Sequence, residues 1–239
     1  MMKAKLQNIL GAVAIMATVP SVATAQEKFT VNGELGFVSD YVWRGADQNS
    51  GFSVQPSLTM SYAGFALNLW GNQTLSKWED GHGAKEVDIN LSYSYKNFSV
   101  TVSDYWWAGS NMPYGDYKND HYFEGTLAYS FGEKFPLELS WSTFFAGGDK
   151  DENGDLMAST YISAAYPISL PADITLTPSV GFTPWEGMYW DKAAFTDITL
   201  TASKDIQITN HFHVPFFLQF VAAPVYDRTY FLGGFSIGF

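Results

Sequence analysis

Cysteine is absent from the 239 residues, so no disulfide can staple the fold and no thiol chemistry is open to it. Basic side chains are scarce: 13 Lys and Arg stand against 24 Asp and Glu, a formal net charge of −11, which argues against nucleic acid as a partner. Charge of either sign is sparse at 15% of residues, whereas aromatic residues reach 17%. That balance suits an outer surface that meets something other than water. After residue 25 no apolar run approaches the ~20 residues that a helix needs to cross a bilayer.

The first residues, "MMKAKLQNILGAVAIMATVPSVATAQ", have the three parts of a secretory signal. Lys3 and Lys5 form a basic start, Ile9 to Val19 an apolar run, and Ala23-Thr24-Ala25 a cleavage site before Gln26. The expected organisation is a removed signal peptide at 1–25 and one exported domain at 26–239.

Within that domain the apolar pattern has a period of two. "EVDINLSYSY" sets Val87, Ile89, Leu91, Tyr93 and Tyr95 on one face and Glu86, Asp88, Asn90, Ser92 and Ser94 on the other, which is a strand with one apolar side. The same alternation recurs near 29–37, 52–62, 65–73, 98–102, 122–131, 136–145, 156–166, 174–182, 195–203, 211–222 and 230–239. These are about twelve segments, near the roughly 9 to 11 residues that a tilted strand needs to span a membrane.

The links alternate as well. Ala63-Gly64, Lys96-Asn97, Gly132-Glu133-Lys134, "PISLPAD" and "KDIQITN" are short; "RGADQNSG", "LSKWEDGHGAK", "AGSNMPYGDYKND", "AGGDKDENGD", "EGMYWDKA" and "APVYDR" are longer and polar. Short periplasmic turns alternating with long outer loops define a transmembrane β-barrel. The predicted fold class is therefore all-β, an antiparallel up-and-down barrel of about twelve strands in the bacterial outer membrane. Tyr41, Trp43, Tyr105, Trp106, Trp107, Phe144, Phe145, Trp185 and Trp190 cluster where strands meet long loops and are expected to form an aromatic girdle at the membrane boundary. The last segment, "YFLGGFSIGF", reads as a closing strand that pairs with the first, since an open edge in lipid costs several kcal/mol per backbone group. Its terminal aromatic resembles the signal read by the barrel-assembly machinery.

"GFVSDYVWRGADQNSGFSVQPSLTMSYAGFALNLWGNQ" resembles the N-terminal signature of the TorF-type porin family. The likeness rests on Ser39, Asp40, Tyr41, Arg44, Gly45, Gln48, Trp70-Gly71, Glu86, Asp88 and Glu124, and covers about the first half of the mature chain. The sequence departs from that signature at Ala46, Asp47 and Asn72. The resemblance implies passive passage of small solutes through an outer-membrane barrel.

On the alternation above, Glu34, Asp40, Arg44, Glu86, Asp88, Glu124, Glu138 and Asp197 point into the lumen. An excess of solvated carboxylates favours cations, so weak cation selectivity is expected. The opposite arrangement is a filled interior in which Arg44 pairs with Asp40 and neighbouring carboxylates. Twelve strands lie between the eight that leave room only for side chains and the sixteen that leave an aqueous channel. An open lumen is the expectation.

Asp149, Asp151 and Asn153, with Gly154, match the opening of a calcium loop over 149–155, although Thr160 stands where a bidentate carboxylate is usual. Weak calcium binding would follow; otherwise the segment is an acidic surface loop. His211 and His213 share a strand face but lack a third ligand, and His82 and His121 lie in or beside loops. "GFSIG" at 234–238 cannot be a nucleophile elbow, because no acid, base or helix follows it. No cofactor is required. The rival functions are an outer-membrane lipid-modifying enzyme and a non-conducting structural or adhesive barrel. No spacing singles out a nucleophile, base and orienting group, so an enzyme is not the expectation.

Overall fold

The computed structural model describes residues 28–48, 51–75, 85–107, 114–209 and 212–239. The expected signal segment, His82 and His211 lie outside them. Fifteen strands follow one another: β1 (Thr30–Val38), β2 (Val42–Trp43), β3 (Ala46–Asp47), β4 (Ser53–Tyr62), β5 (Phe65–Thr74), β6 (Lys85–Tyr95), β7 (Phe98–Trp107), β8 (His121–Ser130), β9 (Glu138–Gly147), β10 (Thr160–Ala165), β11 (Ile168–Leu170), β12 (Ile174–Thr183), β13 (Ala194–Thr209), β14 (Phe212–Ala223) and β15 (Arg228–Gly238). No helix among the described residues is long and apolar enough to cross a membrane.

Twelve of these strands are the staves of one closed antiparallel barrel. Each stave pairs with its neighbour in sequence, β10 joins β12, and β15 returns to β1 through Glu34↔Gly238, Gly36↔Ser236 and Val38↔Gly234. Phe239 extends that seam, exchanging backbone hydrogen bonds of 2.9 Å with Gly33 in both directions. The expected closing strand is thus in place, and the wall has no free edge to satisfy.

Strand alternation sets two faces, and the register keeps them outside three bulges, at Phe123/Glu124, Gly181/Phe182 and Gln207/Thr209. Leu91 pairs with Val102 and faces out, with 53% and 46% of their surfaces exposed; Asp88 pairs with Tyr105 and faces in, with 0% and 1% exposed. The exposed wall is apolar, from Val31 and Leu58 through Leu127 to Phe231. A closed barrel with an apolar exterior is a membrane-spanning architecture, because its backbone groups are satisfied within the wall.

Three expectations are corrected. "KDIQIT" is not a turn: β13 runs on through Thr209, with Ile206 and Ile208 exposed on the outer face, because Lys204 to Thr209 also alternates. "PISLPAD" contains β11, which lies along β12 before a short 3-10 turn at Pro171–Asp173. "RGADQNSG" is not a plain loop either, since Arg44 and Gly45 form the turn and Ala46 and Asp47 the second strand, β3, of a hairpin described below.

The aromatic girdle is also redistributed. Phe145 and Trp185 are exposed as expected, Trp106 packs on Tyr114, and Trp190 packs on Tyr226. Tyr41, Trp43, Tyr105 and Phe144, however, are buried together, with Trp107 packed against them. At the short-turn end an outward aromatic band was missed: Phe65 on Tyr93 and Phe98 on Tyr129, each at 4.6 Å, continuing to Phe131 and Phe135.

Candidate functional site: an arginine-anchored hairpin in the lumen

The chain does not pass directly from β1 to β4. It first forms the β2–β3 hairpin, in which Val42 pairs with Asp47 and Trp43 with Ala46. Both turn residues have positive φ, 50° at Arg44 and 83° at Gly45, the signature of the tight hairpin turn whose twist matches its strands. Gly45 is required on two counts, since a Cβ there would also lie 2.7 Å from the carbonyl oxygen of Thr196. Arg44, which has a Cβ, is held in the left-handed region by what its side chain reaches.

The Arg44 guanidinium forms a two-pronged pair with Glu124 on β8, Nη1 to Oε1 at 2.6 Å and Nη2 to Oε2 at 2.8 Å, and Nη1 also donates to the Tyr189 hydroxyl. Tyr105 donates to the same carboxylate at 2.9 Å. Aromatic faces enclose the cation, with Trp43 at 4.4 Å, Tyr161 at 4.6 Å and Tyr189 at 5.4 Å from its carbon. Such an arrangement is favourable only when a buried charge has this many partners. Arg44 therefore joins one buried cluster formed by Tyr41, Trp43, Tyr105, Phe144, Tyr161 and Tyr189.

A second cluster, Val38, Val42, Phe217, Val221 and Leu232, seats the hairpin on the opposite wall. Its staves turn apolar side chains inward, which breaks the polar-in rule at the place where the hairpin lands. Together the two clusters narrow the lumen at this level. Toward the short-turn end the lining changes to half-buried polar side chains. There Asn68 donates to Ser57 at 2.8 Å and to Thr59 at 2.9 Å, and Asn90 donates to Asn68 at 3.2 Å.

All eight residues expected in the lumen lie on its side. Glu86, Asp88, Glu124 and Asp197 are buried around the hairpin; Glu34 and Glu138 are half-buried. Asp40 lines a small cavity beside Gln55, Gln219 and Leu232. Asp197 accepts from Tyr161, Thr196 and Thr199. Arg44 pairs with Glu124 rather than with Asp40, whose Oδ1 instead accepts the Tyr41 amide. Ser39 accepts from the Gly233 amide at 3.0 Å, tying the hairpin's entry to β15. Asp205 was not anticipated; it shares the inward face with Ser203, and extending the alternation of β13 would have found it.

Of the three residues of the expected calcium loop, Asp151 and Asn153 hydrogen-bond to each other, whereas Asp149 is engaged by Ser159. Asp149 is buried and accepts from both the amide and the hydroxyl of Ser159, at 2.8 and 2.5 Å. Asp151 instead caps its own turn, and the amides of Asp155 and Asn153, with the Asn153 side chain, hold its carboxyl below the usual carboxylate range. Among the described residues no three acidic or histidine side chains are placed to hold a metal ion.

Residues 22–228 match a family described as "Bacterial protein of unknown function (Gcw_chp)". No curated protein matches the chain in sequence. A solved structure titled "KdgM porin" has a similar fold, with a TM-score of 0.51 at 11% identity over 87% of this chain and 98% of that one.

Proposed function

The chain belongs to the Gcw_chp family, whose function is unknown, and from that premise and its barrel we propose that it is an outer-membrane porin. It lets small solutes diffuse passively, with a weak preference for cations, past a constriction made by the β2–β3 hairpin. One observation carries the reading: a closed wall with an apolar exterior surrounds a lumen whose charged lining is mostly carboxylate. Arg44 is matched by Glu124, whereas Glu34 and Glu138 lie half-buried on the lumen side. The likeness to a porin fold and the resemblance to TorF-type porins support the same function. Residues 1–25 would direct export, and β15 with Phe239 would present the assembly signal.

Lipid hydrolysis is the weaker rival. His121 has both ring nitrogens engaged by oxygens, so neither can activate a nucleophile. A non-conducting barrel is favoured by one observation, the packed layer around Arg44.

The test is single-channel recording on the refolded protein from Gln26 in a planar bilayer, under a potassium chloride gradient. Discrete steps with a cation-selective reversal potential are expected. Glu34→Gln with Glu138→Gln should move that potential toward zero, because both carboxylates face the half-buried, polar part of the lumen. A well-inserted barrel that never conducts would establish the non-conducting reading.

A further inference from the structure

Asp104 and His121 break the apolar pattern of the outer wall. Asp104 faces out between Val102 and Trp106 on β7, and His121 faces out beside Phe123 on β8. Their Oδ1 and Nδ1 atoms are 2.6 Å apart, with 15% and 1% of the side chains exposed. A carboxylate on this face would be costly if left alone. The segment 114–120, which lies between β7 and β8, folds down over the pair. Tyr117 stacks on the imidazole at 4.0 Å and 23°, Tyr114 meets it edge-on at 5.0 Å, and the Tyr114 carbonyl oxygen is 2.6 Å from Nε2.

The hydrogen count decides what this arrangement needs. A backbone carbonyl can only accept, so Nε2 must carry a proton. The contact between Nδ1 and Asp104 needs a proton as well, whether it resides on the ring or on the carboxyl. If that second proton is lost, a lone pair on nitrogen faces an ionised carboxylate at 2.6 Å, and the contact becomes repulsive. The ring and the carboxylate then move apart, and as the ring leaves, the two tyrosines packed on it lose their seat.

We propose that the segment 114–120 is a proton-dependent strap, docked on the outer wall while the Asp104–His121 contact holds its proton and released when that proton is lost.

The segment brings Tyr114 and Tyr117 onto the ring and carries Asp116, Lys118 and Asp120 as its charged groups. Lys150 reaches across from the segment after β9 to the Lys118 carbonyl at 3.1 Å and to Asn119 at 3.4 Å. The Asn119 side chain holds the Asp116 carboxyl below its usual range, and a hydrogen bond with Tyr117 pushes the Tyr114 hydroxyl above its own. Histidine is the side chain that ordinarily changes charge between about pH 5 and 8.

The chain has no cysteine, so Lys118→Cys accepts a single nitroxide label without a competing site. Electron paramagnetic resonance on the labelled barrel in lipid vesicles, between about pH 5 and 9, should show an immobile label at the acid end. The ratio of mobile to immobile label should rise about tenfold per pH unit through one transition, the slope for loss of one proton. In the same background, His121→Phe with Asp104→Leu keeps a ring for Tyr117 and removes the titration, so its label should show no pH step. Heat-modifiable electrophoresis checks that each barrel is folded. An immobile label across the whole range in the His121 protein would overturn the proposal, as would an unchanged step in the double variant.

Discussion

Arg44 shows how one side chain can organise a lumen. Its backbone sits at a left-handed φ of 50°, and its guanidinium is matched by Glu124 and ringed by aromatic faces. Replacing one partner of such a pair leaves the other charge buried, at a cost of about 3–5 kcal/mol. Glu124→Gln should therefore lower barrel stability by that amount, measured as a shift in the urea midpoint by tryptophan fluorescence. Adding Arg44→Met should restore most of the loss, because the uncompensated cation is then gone. A Glu124→Gln barrel as stable as the parent would mean that the pair contributes nothing. Both residues were legible in the sequence as inward-facing, yet their pairing was not, since they lie 80 positions apart.

The β2–β3 hairpin is the element that separates this barrel from an empty one. Its turn was written in the sequence as Arg44-Gly45, but short polar stretches with Gly and Asn read equally well as surface loops. What draws it inward is the inner surface formed by Phe217, Val221 and Leu232, contributed by the last two staves. Replacing Val42–Asp47 with a Gly-Ser linker of equal length should raise single-channel conductance severalfold while the barrel stays folded. Unchanged conductance would place the constriction elsewhere. At the same scale, β13 shows the alternation rule outperforming a composition rule: Lys204, Asp205 and Gln207 suggested a turn, whereas Ile206 and Ile208 at period two continued the stave.

For the molecule as a whole, the two faces of the wall meet different solvents, and substitutions should report which is which. Leu91, near the middle of β6 on the outer face, should tolerate Leu91→Arg poorly, with a loss of about 2–4 kcal/mol in lipid. Ser92→Arg, one position along and facing the lumen, should be close to neutral. The comparison is best made by reversible unfolding in bilayers, and equal costs at the two sites would contradict the assigned faces. The closed seam between β1 and β15 belongs to the same scale, because only closure removes the unpaired edge that lipid cannot satisfy.

Local chemistry was enough to determine the kind of molecule. The missing cysteines, the lack of a long apolar run, the period of two and the alternating loop lengths each act within a strand or a turn, so they can be read in order along the chain. The narrowing of the lumen was decided only in three dimensions. Arg44 meets Glu124 and Tyr189 at separations of 80 and 145 residues, and Ser39 meets Gly233 at 194. Barrel closure brings such distant positions together, and no local pattern in the sequence specifies which inward side chains will then touch.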